Sequence, residues 1–107
     1  MRGKALVAGA FGIVGRHVAE HLLGAGWDVV GVTRGEQSRP ADWRVLRADL
    51  TDEAACAAAV GREPGVTHLF YAARAPHPDA AVEARVNERM LANLLAPSVL
   101  ASFETVI

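Results

Sequence analysis

The chain has 107 residues, 51% of them hydrophobic, and its 11 Lys and Arg nearly balance 12 Asp and Glu to give a net charge of −1. This length and hydrophobic content suit one globular domain and exclude an intrinsically disordered chain. The balanced charge argues against nucleic acid or an anionic membrane as a partner, and no apolar stretch approaches the ~20 residues of a membrane span.

The cysteine content bears on the cellular compartment. Cys56 is the single cysteine of the sequence, so no intramolecular disulfide forms, and the cytoplasm is the expected location. It lies in the Ala-rich run of residues 54–59, where we expect a small apolar residue that packs a helix rather than a nucleophile.

The first half of the chain alternates β-prone runs with a helical pattern. Lys4–Ala8 predicts a first strand that ends at glycine, and residues 24–26 should end the helix that follows. Three apolar residues at helical spacing define the predicted core face of this helix: Val14, Val18 and Leu22. Asp28–Thr33 predicts the second strand, and the polar, proline-containing residues 36–42 predict a loop.

The same alternation continues in the second half. Arg44–Ala48 predicts a third strand. Thr51 is expected to cap a helix that runs to about Val60 and has acidic residues in its first turn. Val66–Ala72 predicts the fourth strand.

The C-terminal third completes the predicted fold. A helix should follow Pro78 and end at Pro97, with four apolar residues on one face: Val82, Val86, Met90 and Leu94. Residues 105–107 are typical of the start of a fifth strand that the chain does not complete. We therefore predict one α/β domain over residues 1–107, a Rossmann-type three-layer, doubly wound parallel sheet of about four strands in the order 3-2-1-4.

Three glycines between the first strand and the first helix form the most informative motif. Gly9, Gly12 and Gly15 stand at positions i, i+3 and i+6. This spacing suits a sharp turn with positive φ, close approach of a pyrophosphate to the backbone, and tight packing of helix on strand. Free N–H groups at the helix start would face the anion. The motif predicts dinucleotide binding, and a plain strand-to-helix turn is the alternative.

With these residues in view, the chain resembles the N-terminal part of an extended short-chain dehydrogenase/reductase, in the NAD-dependent epimerase/dehydratase superfamily. More narrowly, it is similar to the progesterone 5β-reductase and iridoid synthase-like group. Five segments carry the closer resemblance, which covers roughly residues 4–95: GAFGIVG at 9–15, GVTR at 31–34, DLTD at 49–52, VTHLFY at 66–71 and NERMLANLL at 87–95.

The resemblance implies how the cofactor is held. Arg34, at the end of the second strand, would pair with the 2′-phosphate of NADP(H), which makes NADP(H) the favoured cofactor and NAD(H) the other possibility. The alternative is a solvated Arg34 with Glu36 bound to the ribose. Asp49 would accept from the adenine amine and Leu50 would pack on the ring, unless Asp49 pairs with Arg47.

The end of the fourth strand would lie along the cofactor. Tyr71, Ala72 and Ala73 are expected there, because small residues at such a strand end allow close approach. Arg74 stands where the family commonly has a bulkier aromatic residue, so the resemblance does not identify the substrate. The full set of expected cofactor-binding residues is Gly9, Phe11, Gly12, Ile13, Val14, Gly15, Arg34, Asp49, Leu50, Tyr71, Ala72 and Ala73.

One motif suggests a metal. His17, Glu20 and His21 spell H-x-x-E-H, a zinc signature with both histidines on one helical face. No third ligand is evident, and these residues are compatible with a solvated helix face, so we expect no metal. His68 is expected to be a partly buried strand histidine, His77 a loop residue, and both tryptophans to pack over sheet ends.

The sequence lacks the family's proton-transfer pair, a tyrosine and lysine in Y-x-x-x-K. Its single tyrosine is Tyr71 and its single lysine is Lys4, so we expect no catalytic residue within the chain. By resemblance, a full-length relative would reduce an activated C=C bond of an enone with NADPH and bind its small-molecule substrate beyond Ile107. A nucleotide-sugar epimerase or dehydratase, a non-catalytic dinucleotide-binding protein and a gene fragment are the alternatives.

Overall fold

The computed structural model describes residues 3–34, 42–63, 65–94 and the strand backbone of 105–106. Within these residues, helices and strands alternate along the chain. Their bounds are β1 Lys4–Ala8, α1 Ile13–Gly24, β2 Asp28–Thr33, β3 Arg44–Arg47, α2 Glu53–Gly61, β4 His68–Tyr71, α3 Ala80–Leu94 and β5 Thr105–Val106. None of the helices described is long and apolar enough to cross a membrane.

The strands form one parallel sheet in the order β3-β2-β1-β4-β5. The predicted Rossmann-type fold and the order 3-2-1-4 are confirmed. The start of the fifth strand is confirmed as well, since Thr105 pairs with His68 and Val106 pairs with Leu69. Three predictions lie outside the described residues: Ile107 in the fifth strand, residues 36–41 of the loop predicted at 36–42, and the helix end at Pro97.

The sheet separates two apolar layers because alternate residues of each strand face opposite sides. In β1, Leu6 and Ala8 face α2 and α3, while Ala5 and Val7 face α1. Cys56 is fully buried in the layer of α2 and α3, as predicted for a packing residue. This three-layer arrangement leaves the two ends of the strands as the places where a ligand has access to the backbone.

The buried face of α1 matches the prediction at Leu22, and Val18 is half-buried against the same layer, but Val14 differs from the prediction. Val14 is 66% exposed, whereas Gly15, Ala19 and Leu22 are buried. The reason is steric, because a Cβ on Gly15 would overlap the carbonyl oxygen of Gly9. The glycine must face the strand, and this requirement turns Val14 outward.

The cap of α2 also differs from the prediction. Asp52, not Thr51, is the N-cap, and its carboxylate accepts a hydrogen bond of 3.1 Å from the N–H of Ala55. The Thr51 hydroxyl donates instead to Asp49.

Two strands are shorter than predicted. β4 spans His68–Tyr71 rather than Val66–Ala72, and β3 ends at Arg47 rather than Ala48. Hydrogen bonds from the N–H groups of Thr67 and Ala72 to β1 continue the pattern of β4 on both sides. The difference therefore concerns the assigned ends and not the path of the chain.

A buried carboxylate closes the amino end of the sheet. Glu63 is 4% exposed and follows α2. Its two oxygens accept hydrogen bonds of 2.6 and 2.8 Å from Arg44 at the start of β3, and Oε1 lies 3.2 Å from the Lys4 ammonium at the start of β1. The Arg44 hydrogen bonds, with Lys4 adding to them, hold the pKa of Glu63 below its usual range against the opposing effect of burial. The sequence analysis did not anticipate this residue.

Aromatic residues pack over the sheet as predicted. The Trp27 ring meets His68 edge-on at 4.8 Å and Phe70 at 6.2 Å. His68 is half-buried, and its Nδ1 lies 2.8 Å from the Thr67 hydroxyl. Trp43 is buried on the α1 side at 5.9 Å from the ring of Phe11.

Candidate functional site

A cleft of about 750 Å³ lies at the carboxyl end of the sheet, where β1 to β4 stop. Its volume falls in the range of small-molecule and cofactor sites. Ten of the twelve residues expected to bind a cofactor line it: Gly9, Phe11, Gly12, Ile13, Val14, Arg34, Asp49, Leu50, Ala72 and Ala73. Residues from four separate strand ends are thus brought to one surface.

The glycine turn forms the floor of this cleft. Gly9 has a φ of 81°, and a Cβ there would lie 2.7 Å from the backbone nitrogen of Ala73, so only glycine fits. Gly12 is the N-cap of α1 in extended backbone, and a Cβ there would meet only the Gly9 carbonyl, at 3.4 Å. The space above Gly12 is therefore open to a ligand.

The start of α1 can accept an anion. Gly12, the N-cap, has no side chain to bond to the first turn of α1, and that turn carries no acidic residue. Backbone N–H groups in a first turn have no partner within the helix, and the dipole of the helix favours negative charge there. Ile13 and Val14, in that turn, line the cleft. These features fit a pyrophosphate group.

Two charged residues, at the ends of β2 and β3, line the cleft. Arg34 is exposed and lines the cleft next to Asp49. Oδ1 of Asp49 accepts from the Thr51 hydroxyl at 2.7 Å and from the Thr51 N–H at 3.0 Å. These bonds lower the pKa of Asp49, and the positive charge of Arg34 lowers it further.

The predicted alternative for Asp49 is wrong, since it forms no ion pair with Arg47 among the described residues. Its Oδ1 accepts from Thr51 instead, and neither of those bonds uses Oδ2. Leu50, beside it, is 6% exposed and contributes the apolar part of this wall. The alternative in which Glu36 binds the ribose lies outside the described residues.

Two residues of the expected cofactor-binding set, Gly15 and Tyr71, do not line the cleft. Gly15 is buried where α1 meets β1 and serves packing. The Tyr71 ring packs against the layer of α2 and α3, and its buried hydroxyl has no hydrogen-bond partner among the described residues. Burial, and to a smaller extent Cys56, raises the pKa of Tyr71. Lys4 starts β1 at the opposite end of the sheet, so the two groups are far from forming a catalytic pair.

Seven further residues line the cleft without having been expected there: Val32, Thr33, Thr51, Arg74, Ala75, Pro76 and Met90. All but Met90 lie within three positions of an expected residue at a strand end, so extending each strand-end segment by up to three positions would have found them. Met90 comes from the middle of α3, and no local pattern distinguishes it from the core residues at the same spacing.

The residues of the zinc-like motif lie on the exposed face of α1. His17, Glu20 and His21 are all exposed, and Glu20 pairs with Arg16 at 2.9 Å. Among the residues described, no group of three His, Cys, Asp or Glu side chains could hold a metal ion. His77 is exposed in the loop before α3, and its Nδ1 accepts from the N–H of Asp79.

Comparison with known proteins gives a family and a fold. The sequence profile of the NAD dependent epimerase/dehydratase family matches residues 5–102. No curated protein matches the chain. Among solved structures, a Burkholderia multivorans protein assigned as a short-chain alcohol dehydrogenase shares 21% identity over 95% of this chain, with a TM-score of 0.72.

Two further structures are similar at the same level of identity. The Bordetella bronchiseptica enzyme WbmH, solved in complex with NAD+, has 21% identity over 89% of this chain and a TM-score of 0.71. The UDP-N-acetylglucosamine 4-epimerase of Bacillus cereus has 21% identity over 85% and a TM-score of 0.67. The chain spans 58%, 34% and 32% of the lengths of these three chains, in the order given.

Proposed function

Because the chain belongs to the NAD dependent epimerase/dehydratase family, we propose that its cleft binds a nicotinamide adenine dinucleotide. The observation that carries the proposal is the open backbone surface above Gly12, at the uncapped start of α1. A pyrophosphate there would meet the N–H groups of the first helical turn. The NAD+ complex of the Bordetella bronchiseptica enzyme, which has a similar fold, supports the same cofactor class.

The adenosine half would lie across β2 and β3. Asp49 would accept a hydrogen bond from the exocyclic amine of adenine, and Leu50 would pack on the ring. The hydrogen bonds from Thr51 keep the Asp49 carboxylate ionised. Arg34 would form a charge-assisted pair with the 2′-phosphate, so NADP(H) would bind more tightly than NAD(H). Its exposure leaves the guanidinium free to reach a phosphate at the rim.

We propose enone reduction as the reaction of a longer protein that contains this domain. The narrower resemblance to the progesterone 5β-reductase and iridoid synthase-like group supports it. Bound NADPH would supply a hydride to the β-carbon of the enone, and the α-carbon would take up a proton. The described residues would hold and orient the cofactor, since the buried Tyr71 hydroxyl and the distant Lys4 are unsuited to stabilise an enolate.

A nucleotide-sugar epimerase or dehydratase is the second candidate. The family description favours it, as does the fold shared with the Bacillus cereus epimerase. Both candidates use the same cleft for the cofactor and differ in the substrate. Saturable binding of a UDP-sugar, with no binding of a cyclic enone, by a cofactor-loaded longer protein that contains this domain would favour this second candidate. For either one we propose a cytoplasmic enzyme.

Calorimetric titration of the purified chain with NADPH and with NADH tests the cofactor assignment. We expect tighter binding of NADPH, and Arg34→Ala should weaken it by about 1.5 to 3 kcal/mol while NADH affinity stays unchanged. Arg62→Ala, an exposed arginine at the end of α2 near the other end of the sheet, is the matched control. A preference for NADH, or an unchanged ratio of the two affinities in Arg34→Ala, would overturn the NADP(H) assignment.

The catalytic expectation needs a separate assay. We expect the isolated chain to oxidise no NADPH in the presence of cyclic or acyclic enones. Any enone-dependent turnover by the chain would contradict this account, and turnover that survives Tyr71→Phe would require a proton donor other than the single tyrosine.

A further inference from the structure

The end of the cleft beside β4 carries one charged side chain among the described residues. Three charged residues line the whole cleft, and two of them, Arg34 and Asp49, belong to the ends of β2 and β3. The third is Arg74, which follows β4 after two alanines. The other side chains that line the cleft beside Arg74, at residues 72–76, are those of alanine and proline. A ligand at this end therefore meets one positive charge on an apolar surface.

The backbone on both sides of Arg74 is held in place. The N–H of Ala72 bonds to the carbonyl of Ala8 at 2.9 Å, which continues the pairing of β4 with β1. The N–H and the carbonyl of Ala75 both bond to the side-chain amide of Asn87 in α3, each at 2.9 Å. The Arg74 side chain thus starts from a fixed point, and its guanidinium moves only within the reach of that side chain.

A second, smaller hollow of about 380 Å³ adjoins the cleft at Arg74. It shares two residues with the cleft, Ala73 and Arg74, and α3 supplies the rest of its lining: Ala80, Glu83, Ala84 and Asn87. Its volume is at the small end of the range for small-molecule sites. Arg74 is therefore the charged residue that the cleft and the hollow have in common.

Arg74 is bonded to a carboxylate in this structure. Its Nη2 donates to Oε1 of Glu83 at 2.9 Å, and no other described residue bonds to the guanidinium. The Arg74 side chain is 71% exposed, so water screens this pair, and the pair contributes little free energy. Because a guanidinium can bind a carboxylate through two parallel N–H bonds, a ligand carboxylate can replace Glu83 at little cost.

The proposed cofactor brings its reactive end toward Arg74. Arg34 and Asp49 mark the adenosine end of the cleft, and the glycine turn after β1 marks the pyrophosphate. A dinucleotide that crosses the sheet in this direction carries its nicotinamide beyond β1, toward the end of β4. A substrate has to meet the nicotinamide there, on the side of the cleft where Arg74 supplies the charge.

We infer that Arg74 is a specificity-determining residue that selects a substrate with a carboxylate, a role that rests on the proposed dinucleotide function. Glu83 occupies the guanidinium in the absence of substrate, and the substrate carboxylate takes its place. One cation among alanines matches the single negative charge of a carboxylate. The preference applies to either candidate reaction, because it concerns a group of the substrate that does not react.

Titration of the NADP+-loaded chain with butyrate and with butyramide tests this inference. The two probes have nearly the same size and differ in charge, and both are small enough for the hollow. The backbone amide NMR signals of Ala73 and Ala84, which line the hollow, report binding at constant ionic strength. We expect butyrate to shift these signals saturably and butyramide to leave them unchanged.

Three variants make the test specific to the ion pair. Arg74→Gln should abolish butyrate binding and keep NADP+ affinity within about twofold of the unsubstituted chain. Glu83→Gln removes the competing carboxylate, so it should bind butyrate about two- to fivefold more tightly. Arg85→Gln is the control, since Arg85 is an exposed arginine of α3 that lines neither space, and it should leave butyrate binding unchanged.

Several results would overturn the inference. They are equal binding of butyrate and butyramide, unchanged butyrate binding in Arg74→Gln, or weaker butyrate binding in Glu83→Gln. A loss of NADP+ affinity of about tenfold in Arg74→Gln would overturn it too, because Arg74 would then bind the cofactor. If NADP+ binds to the unsubstituted chain and butyrate does not, the inference alone fails. If NADP+ does not bind, the proposed function fails, and the substrate role of Arg74 fails with it.

Discussion

The two ends of the sheet are built in opposite ways. At the amino end, charged side chains close the structure, as Glu63 bonds to Arg44 and Lys4 across the starts of β3 and β1. At the carboxyl end, small residues such as Gly12 and Ala72 leave backbone groups open to a cleft. Residues important for folding and residues available for binding are thus largely separated in space, and substitutions at the two ends should have separable effects.

The largest effect should come from the residue that breaks this separation. Gly15 lies at the carboxyl end of the sheet but packs α1 against β1, and the Cβ of Gly15→Ala would overlap the Gly9 carbonyl oxygen. We expect it to lower the free energy of unfolding by about 3 kcal/mol, because α1 must shift off β1. Urea denaturation followed by circular dichroism measures it.

Gly24→Ala, at the other end of α1, is the control for that measurement. A Cβ at Gly24 meets nothing within 4 Å, so this variant should be unchanged or more stable by up to about 1 kcal/mol. Equal stability of Gly15→Ala and the unsubstituted chain would show that the contact between α1 and β1 is looser than described.

At the amino end, Glu63→Ala should destabilise the fold by about 1 to 3 kcal/mol and leave dinucleotide affinity unchanged. The ammonium of Lys4, 15% exposed, would lose a carboxylate partner, and Arg44 would lose two hydrogen bonds. Urea denaturation measures the stability of the variant, and calorimetric titration measures its dinucleotide affinity. Glu88→Ala, an exposed glutamate on α3, is the control. A variant that is fully stable but fails to bind would contradict the separation of the two ends.

The same carboxylate predicts a dependence of stability on pH. Its pKa is lower in the folded chain than in the unfolded chain, where it is about 4.3. The contribution of Glu63 is therefore complete above that unfolded value and is lost as the pH falls through the lower folded value. The difference in unfolding free energy between the unsubstituted chain and Glu63→Ala should shrink below about pH 4, and a constant difference would contradict the assignment.

The smallest effect concerns association. In the sheet order, β3 is an edge strand that pairs with β2. An edge strand is a template for another chain, so we expect weak self-association that increases with protein concentration. Light scattering over a concentration series measures it, and a constant monomer mass at every concentration would refute it.

Much of the fold was predictable because local patterns and topology agree in this chain. The alternation of strands and helices predicts the sheet order, and the glycine spacing predicts the turn with positive φ at Gly9. The face of α1 was not predictable from apolar spacing, since Val14 fits the helical period and is nevertheless exposed. The close approach of the Gly15 backbone to Gly9 decides which face of α1 is buried, and a hydrophobicity scale does not describe such a contact.

The site was less predictable where long-range contacts decide a residue's role. Glu63 and Lys4 are 59 positions apart and meet only after folding. Asn87 lies within a predicted helix, and its hydrogen bonds to Ala75 form only when α3 packs across the end of β4. Tyr71 fits the strand-end pattern, but the alternation of the strand turns its ring toward the core.

Titration of Gly12→Val with NADP+, beside the unsubstituted chain, tests the central claim most directly. A side chain at Gly12 has room in the fold, since its Cβ would meet only the Gly9 carbonyl at 3.4 Å, but it would fill the space proposed for the pyrophosphate. We predict an unchanged circular dichroism spectrum together with loss of NADP+ binding. A folded Gly12→Val that binds NADP+ as tightly as the unsubstituted chain would show that the turn is only structural and that the cleft is not the dinucleotide site.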